Sequence, residues 1–369
     1  MADKLSFSKR LKLQLSKLFA IGSGVMLSHL GFGAQAHAQI TDGPYIFIEG
    51  EHLKAEWICE GKQNALQIPL KNLPFSFNQC GLDASIERLT PSRDALNYRG
   101  DFKVAAFSDL HGQYALTLEL LKKNNIVDQE YNWQFGNGHL VITGDIFDRG
   151  DKVTELLWFF YRLEQQAASA GGQVHLLLGN HEVMILNGDL RYLHDKYKQV
   201  AKLLNTDFEQ LYSENSVLGI WLRSKNVLVK INDTLFTHGG LHPELARQSR
   251  SLDEINHHFT SQLVVERSQR NGFNEWLHGI YGPIWYRGYF DTQGFATSEA
   301  DIDKLLTHFN VRHIAVGHTS RDSIETRYQG KVLAIDTGMK RGKQGELLLI
   351  ENGKHWRGTL TGKRLPISL

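Results

Sequence analysis

Residues 139–151 read HLVITGDIFDRGD. The first five have the apolar, β-branched character of a short strand entering a sheet. Gly144 then permits a tight turn, and Asp145, Asp148 and Arg149 follow at once. Ligands in open α/β folds gather in the crevice at the carboxyl ends of strands, so this segment sets two carboxylates and a guanidinium there. Alone it implies an acidic site beside room for a phosphate-sized anion.

Four further segments repeat the arrangement: Asp109-Leu110-His111, Asn180-His181-Glu182, His238-Gly239-Gly240 and Gly317-His318, each at the end of a strand-like run. Singly they are ordinary: an aspartate can cap a helix, an asparagine can close a turn, a histidine can end a strand. Their coincidence at strand ends is what speaks for a site. Carboxylate, amide and imidazole donors together suit Mn, Fe or Zn, whereas a structural zinc site would normally use thiolate. Asp109, His111, Asp145, Asn180, His238 and His318, with His181 beside them, exceed the needs of one tetrahedral ion. Two ions about 3.5 Å apart, bridged by a carboxylate and a water, use that excess. Arg149, following two acidic residues at the same sheet edge, is placed to meet substrate oxygens. Arg287, between Tyr286 and Tyr289, is a second candidate.

Around these segments the chain alternates strand, site and helix three times between residues 102 and 182, the βαβ rhythm of a layered α/β protein. Residues 183–226 read as a helical insertion, residues 227–240 as a hairpin-like strand pair turning at Asn232-Asp233, residues 252–270 as helical, and the end as strands at hairpin spacing. The fold class implied is α/β (α+β): four layers, αββα, with two packed mixed β-sheets flanked by helices. Residues 39–100, short strands and turns, form a small β-rich N-terminal region before a catalytic domain spanning 101–369. That region could serve as a lid, an interaction module or a structural annex.

Composition excludes some functions. The 369 residues carry a formal net charge of +1, but five Lys/Arg and one Asp lie in residues 1–38, leaving 36 basic against 39 acidic residues in the rest. Such a body offers no bulk attraction to nucleic acid. The leader, with its basic start, an apolar run and Ala36-His37-Ala38 as a small-x-small cleavage site, reads as a signal peptide and implies a periplasmic or secreted protein; a retained amphipathic helix is the alternative. No segment is apolar and long enough for a membrane span. Cys59 and Cys80 are the only cysteines: they allow one disulfide or two free thiols, and neither lies near a candidate catalytic segment.

The segments SDLHG, GDIFDRG, GNHE, HGG and GH, in that order, resemble the five motifs of calcineurin-like metallophosphoesterases, and GDIFDRG with GNHE resembles the phosphoprotein phosphatase branch. WYRG at 285–288 and the β-rich start are similar to the Shewanella-like protein phosphatase group. Carried onto this chain, the resemblance implies that Asp109 and His111 hold one metal, Asp145 bridges, and Asn180, His238 and His318 complete the second. It implies a His181–Asp148 dyad assisting the leaving group and phosphate contacts from Arg149, Arg287 and Asn180. The reaction implied is hydrolysis of a phosphorylated protein or peptide by a metal-activated water or hydroxide, without a covalent enzyme intermediate; separately, a monomer is expected. Ser108 stands where the protein-phosphatase branch usually has Gly. Ser320 replaces the second histidine of the GHxH pattern, which argues against a nuclease or cyclic-nucleotide diesterase. The LWSDP segment of eukaryotic Ser/Thr phosphatases is missing, so Arg287 is a less secure match than Arg149.

A phosphotyrosine preference follows mainly from the same resemblance. Tyr192, Tyr197, Tyr212, Trp221, Tyr281, Trp285 and Tyr286 could form an apolar wall beside the metals or simply be core, and Phe147 is a local candidate for touching a substrate ring. Rival functions are a broad small-molecule phosphatase, a dinucleoside polyphosphate hydrolase, and a phosphoprotein-binding module without turnover.

Overall fold

The computed structural model describes residues 39–369 apart from residue 90 and residues 291–295. The expected leader, residues 1–38, lies outside the described residues.

The chain begins with three antiparallel strands, β1 (Asp42–Glu49), β2 (His52–Cys59) and β3 (Lys62–Pro69), followed by the hairpin of β4 (Phe75–Gln79) and β5 (Leu82–Ile86). Cys59 and Cys80 are disulfide-bonded with their Cα atoms 5.9 Å apart, so the end of β2 is fastened to the turn between β4 and β5. A lone two-stranded hairpin is marginal in water, and this bond gives it an anchor. The next strand, β6 (Asn97–Tyr98), belongs to a large sheet rather than to this annex.

There follow β7 (Val104–Phe107), α1 (Tyr114–Lys123), β8 (His139–Ile142), α2 (Val153–Ser169) and β9 (Gln173–Leu176), the three strands parallel. Residues 180–226 hold three helices, α3 (Asn180–Leu186), α4 (Asp195–Leu204) and α5 (Val217–Arg223). Strands β10 (Leu228–Ile231) and β11 (Thr234–Thr237) pair across a turn at Asn232-Asp233. Four helices come next: α6 (Glu244–Arg247), α7 (Leu252–Ser261), α8 (Gly272–His278) and α9 (Glu299–Phe309). The expected helix to residue 270 stops at Ser261, because residues 264–270 bury none of their side chains and offer no apolar face to hold a helix. The end is β12 (His313–Val316), β13 (Glu325–Arg327), β14 (Val332–Ala334), β15 (Glu346–Glu351), β16 (Lys354–Thr359) and β17 (Arg364–Pro366).

Two six-stranded mixed sheets result, ordered β17-β16-β15-β7-β8-β9 and β13-β14-β12-β11-β10-β6. Their central strands, VAAF, HLVI, TLFT and HIAV, are buried along their whole length, as strands covered on both faces must be. Alternation sorts the side chains. Val104, Ala106, Val141, Val229, Phe236, Ala315 and Leu348 form one apolar cluster between the sheets. Their neighbours Ala105, Phe107, Leu140, Ile142, Leu235 and Ile314 turn the other way, into the cluster shared with the helices. The two packed mixed sheets flanked by helices, with a small antiparallel β region ahead of them, are thus as expected.

Helix α2 shows how the annex is attached. Ten of its 17 residues are buried, including Trp158, Phe159, Phe160 and Tyr161 in succession, so it is apolar nearly all round and needs cover on every side. Sheet one covers one side and the annex another: Trp158 Nε1–H donates to Pro44 O at 2.9 Å, and Tyr161 OH to Arg88 O at 2.9 Å. Asp42, fully buried in β1, is paired with Lys196 Nζ at 2.9 Å, and the same ammonium donates to Asp151 O at 2.6 Å.

Candidate metal centre

The carboxyl ends of β7, β8, β9, β11 and β12 converge, and each delivers one of the five motif segments. The backbone turns sharply there. Asp109, His111, Asp145, Asp148, Arg149 and His318 all have positive φ, between 44° and 69°, a region costly for residues other than glycine and characteristic of functional sites. Gly144 and Gly317 permit the close approach of these turns. A Cβ on Gly144 would lie 2.3 Å from Gly179 N, and one on Gly317 would lie 1.9 Å from Ser108 Oγ. Ser108, the departure from the protein-phosphatase pattern, is itself buried and donates to Asp109 Oδ2 at 2.6 Å.

Two donor clusters share Asp145: His111, Asp145 and His181 in one, Asp145, His238 and His318 in the other. Asp145 Oδ2 lies 3.7 Å from His111 Nε2, 3.7 Å from His181 Nε2 and 3.3 Å from His238 Nε2, while Asp109 Oδ1 lies 3.8 Å from His111 Nε2. His238 Nε2 also lies 2.9 Å from Asn180 Oδ1 and 3.1 Å from His318 Nδ1. Ligand atoms bound at about 2.1 Å to one cation stand roughly 3.0–3.4 Å apart, so this second spacing is that of a coordination shell. The far nitrogens fix which atom faces inward. His111 Nδ1 is bonded to Phe147 O at 2.6 Å, and His238 Nδ1 to Thr143 O at 3.0 Å, leaving Nε2 of each toward the carboxylates. All these donors are 5% exposed or less.

The electrostatics fit cations as well. Burial, with Asp336 and Asp145 adding to it, pushes the Asp109 carboxyl up to about 8. For His238 burial opposes the charged form, but Asp145 and then Asp109 outweigh it and raise the imidazole to about 9. Both shifts favour the proton-bound form of these donors, the form that a metal ion has to displace. The clusters are consistent with a pair of divalent ions, whose identity the donor set leaves among Mn, Fe and Zn.

Around the donors lie the groups expected to meet substrate. His181 Nδ1 is hydrogen-bonded to Asp148 Oδ2, both buried, and its Nε2 faces the centre. Burial lowers the charged form of His181, but Asp145 and the Asp148 bond outweigh it, and its pKa is raised. Arg149 is exposed, with its guanidinium 5.1 Å from the centroid of Tyr192. Arg287 donates to His318 O and Thr319 Oγ1, both at 3.1 Å. Neither arginine has a carboxylate partner among the described residues. A cleft of about 1260 Å³, lined by Asn180, Met184, Trp276, Tyr281 and Trp285 among others, opens beside the centre.

Two groups escaped the sequence reading of roles. Glu182 is fully buried and accepts from Asp145 N at 2.8 Å, Ile146 N at 2.7 Å and Gly179 N at 2.8 Å, binding two motif loops together. Asp336, fully buried after β14, accepts from Gly338 N at 2.9 Å and Ser320 Oγ at 2.6 Å. Its signal was present in the sequence: an acidic residue directly after a buried strand, as at Asp109. The aromatic expectations need correction. Phe147 is completely buried and packs edge-on against Tyr212 at 4.9 Å, so it touches no substrate. Tyr197, Tyr212 and Trp221 are core, because the insertion has to bury its own apolar face, and Tyr286 of the later loop is buried against Tyr289; for these four the core alternative holds. Of the seven, Tyr281 and Trp285 line the cleft, and Tyr192 stands exposed with its ring 5.4 Å from that of His181.

Two metal-sized donor clusters at the strand ends of a double sheet, with a histidine–aspartate pair and two guanidiniums that have no carboxylate partner among the described residues, define a metal-dependent phosphoesterase. The chain belongs to the calcineurin-like phosphoesterase family, whose model matches residues 102–322. Its structure is similar to that of the cold-active protein-tyrosine phosphatase of a psychrophilic Shewanella species, with a TM-score of 0.84 and 42% identity over 89% of this chain and 99% of that one. It is 32% identical over 257 residues to an uncharacterized protein of Schizosaccharomyces pombe, covering 66% of this chain and 75% of that protein. It is 27% identical over 256 residues to Shewanella-like protein phosphatase 1 of Plasmodium berghei, covering 66% and 68%.

Proposed function

We propose that the chain is a monomeric, exported phosphatase that hydrolyses phosphomonoesters on proteins or peptides and favours phosphotyrosine. The observation that carries this reading is a buried dinuclear donor set whose Asn180 also lines a cleft larger than a small phosphoester requires, beside two guanidiniums, Arg149 and Arg287, that have no carboxylate partner among the described residues. The leader and the Cys59–Cys80 bond support export. The likeness to a protein-tyrosine phosphatase supports the substrate.

Ions held by Asp109, His111 and Asp145, and by Asp145, Asn180, His238 and His318, would supply Lewis acidity, drawing charge from the phosphoryl oxygens and acidifying the attacking water. The protein's own groups do the rest. Arg149 and Arg287 set donor forks against the other phosphoryl oxygens. Water adds its oxygen to phosphorus and releases a proton to solvent, and the ester P–O bond breaks with its electron pair on the leaving oxygen. His181, held by Asp148, gives that oxygen a proton and regains one from solvent.

The test is kcat/KM on phosphotyrosyl and phosphoseryl peptides, with a dinucleoside polyphosphate alongside, after EDTA treatment and Mn²⁺ add-back. Metal-dependent turnover with the phosphotyrosyl peptide preferred is expected. Metal-independent turnover defeats the mechanism, a phosphoseryl or nucleotide preference defeats the substrate, and phosphate binding without release defeats the enzyme.

A further inference from the structure

We propose that the Tyr192 ring is the pad on which the substrate's aryl group lies, and that it makes phosphotyrosine a better substrate than phosphoserine. The proposal rests on the phosphatase reading above. Tyr192 is 45% exposed and is the only aromatic residue among the large hydrophobic side chains left exposed by the described residues. Its ring centroid is 5.4 Å from that of His181. His181 is the group that protonates the leaving oxygen, so whatever that oxygen is attached to must extend from His181 Nε2. For phosphotyrosine this is a phenyl ring brought against Tyr192; for phosphoserine it is one methylene followed by backbone.

The pad is held in place. Tyr192 O accepts from Arg149 N at 3.2 Å, and the next residue, Leu193, is buried. Arg191 donates to Asp189 from both Nε and Nη2 at 2.8 Å, and its guanidinium is 5.6 Å from the Tyr192 centroid, as that of Arg149 is at 5.1 Å. Trp285, the other half-exposed ring near the donors, lies beside His318, 5.6 Å away, rather than beside the proton donor.

The experiment measures kcat/KM of the Mn²⁺-reconstituted full chain on phosphotyrosyl and phosphoseryl peptides of otherwise identical sequence, for the wild type, Tyr192→Ala and Tyr192→Phe. Tyr192→Ala should reduce the phosphotyrosyl-to-phosphoseryl ratio about tenfold, the scale of one aromatic contact, and Tyr192→Phe should restore it. Equal losses on both peptides would show a ring that only seats Arg149 and would overturn the proposal. A Phe variant as poor as the Ala variant would overturn it too, since the hydroxyl would then be the active part. A wild type with no phosphotyrosyl preference would overturn the substrate reading and the pad with it, whereas an unchanged ratio in Tyr192→Ala overturns the pad alone.

Discussion

Replacing Asp148 by Asn exchanges one carboxylate oxygen for an amide nitrogen and leaves the side-chain volume nearly unchanged. Asp148 is fully buried and His181 is 3% exposed, so water cannot take over the lost interaction. A hydrogen bond to a charged group is worth about 1.5–3 kcal/mol, which corresponds to a loss of about 10- to 150-fold if that bond is what keeps His181 protonated and aimed at the leaving oxygen. Asp148 is not among the metal donors, so metal content, measured alongside, should stay at wild-type stoichiometry. The assay is kcat over a series of aryl phosphates, from strongly acidic phenols up to phenol itself with a pKa near about 10. The loss should approach its full size for phenyl phosphate and shrink toward none for the most acidic phenol, which departs without a proton. A loss of equal size across the series would refute the reasoning, because a merely structural role for the dyad harms every substrate alike.

Asn180→Ala removes the amide oxygen 2.9 Å from His238 Nε2 and should weaken Mn²⁺ binding by at least about tenfold in a calorimetric titration while the chain stays folded. Reducing the Cys59–Cys80 bond, which spans 21 positions, should cost about 3 kcal/mol and lower Tm by several degrees; an unchanged Tm would mean that the annex is held without it. His355 is buried, neither ring nitrogen is hydrogen-bonded, and burial followed by His313 lowers its pKa to about 4. Its contribution is thus complete above the unfolded value near about 6.5 and is lost as pH falls toward 4. His355→Phe should therefore raise Tm relative to wild type at pH 5 and much less at pH 8; the reverse order would reject the assignment.

The strand ends were legible because the chemistry repeats itself: five compact polar segments follow five apolar runs, and all five close on one another. What the sequence concealed was mostly burial. Phe147 sits between two metal-centre residues and looks like a substrate contact, yet the edge of Tyr212 and the core behind the loop take it up. Tyr197 and Tyr212 share the composition of Tyr192, and only packing reveals that one ring of the three faces out. Glu182 was visible as part of a motif, but its three backbone partners come from segments that meet only in the folded state. The helix expected through residue 270 had mixed charge in its favour and no buried stripe to hold it.

The bond from His318 N–H to the Asp109 carboxylate, 2.8 Å long, joins residues 209 positions apart, and the strand carrying Asp109 pairs on one side with β15, later still. For a chain leaving a ribosome or a translocation pore, this makes capture of the metals one of the last events, after most of the polypeptide has emerged. An interrupted synthesis product holds carboxylates and imidazoles without a closed ring of donors. Activity thus reports on completion of the chain, and damage to its final quarter silences chemistry begun by residues near its first third.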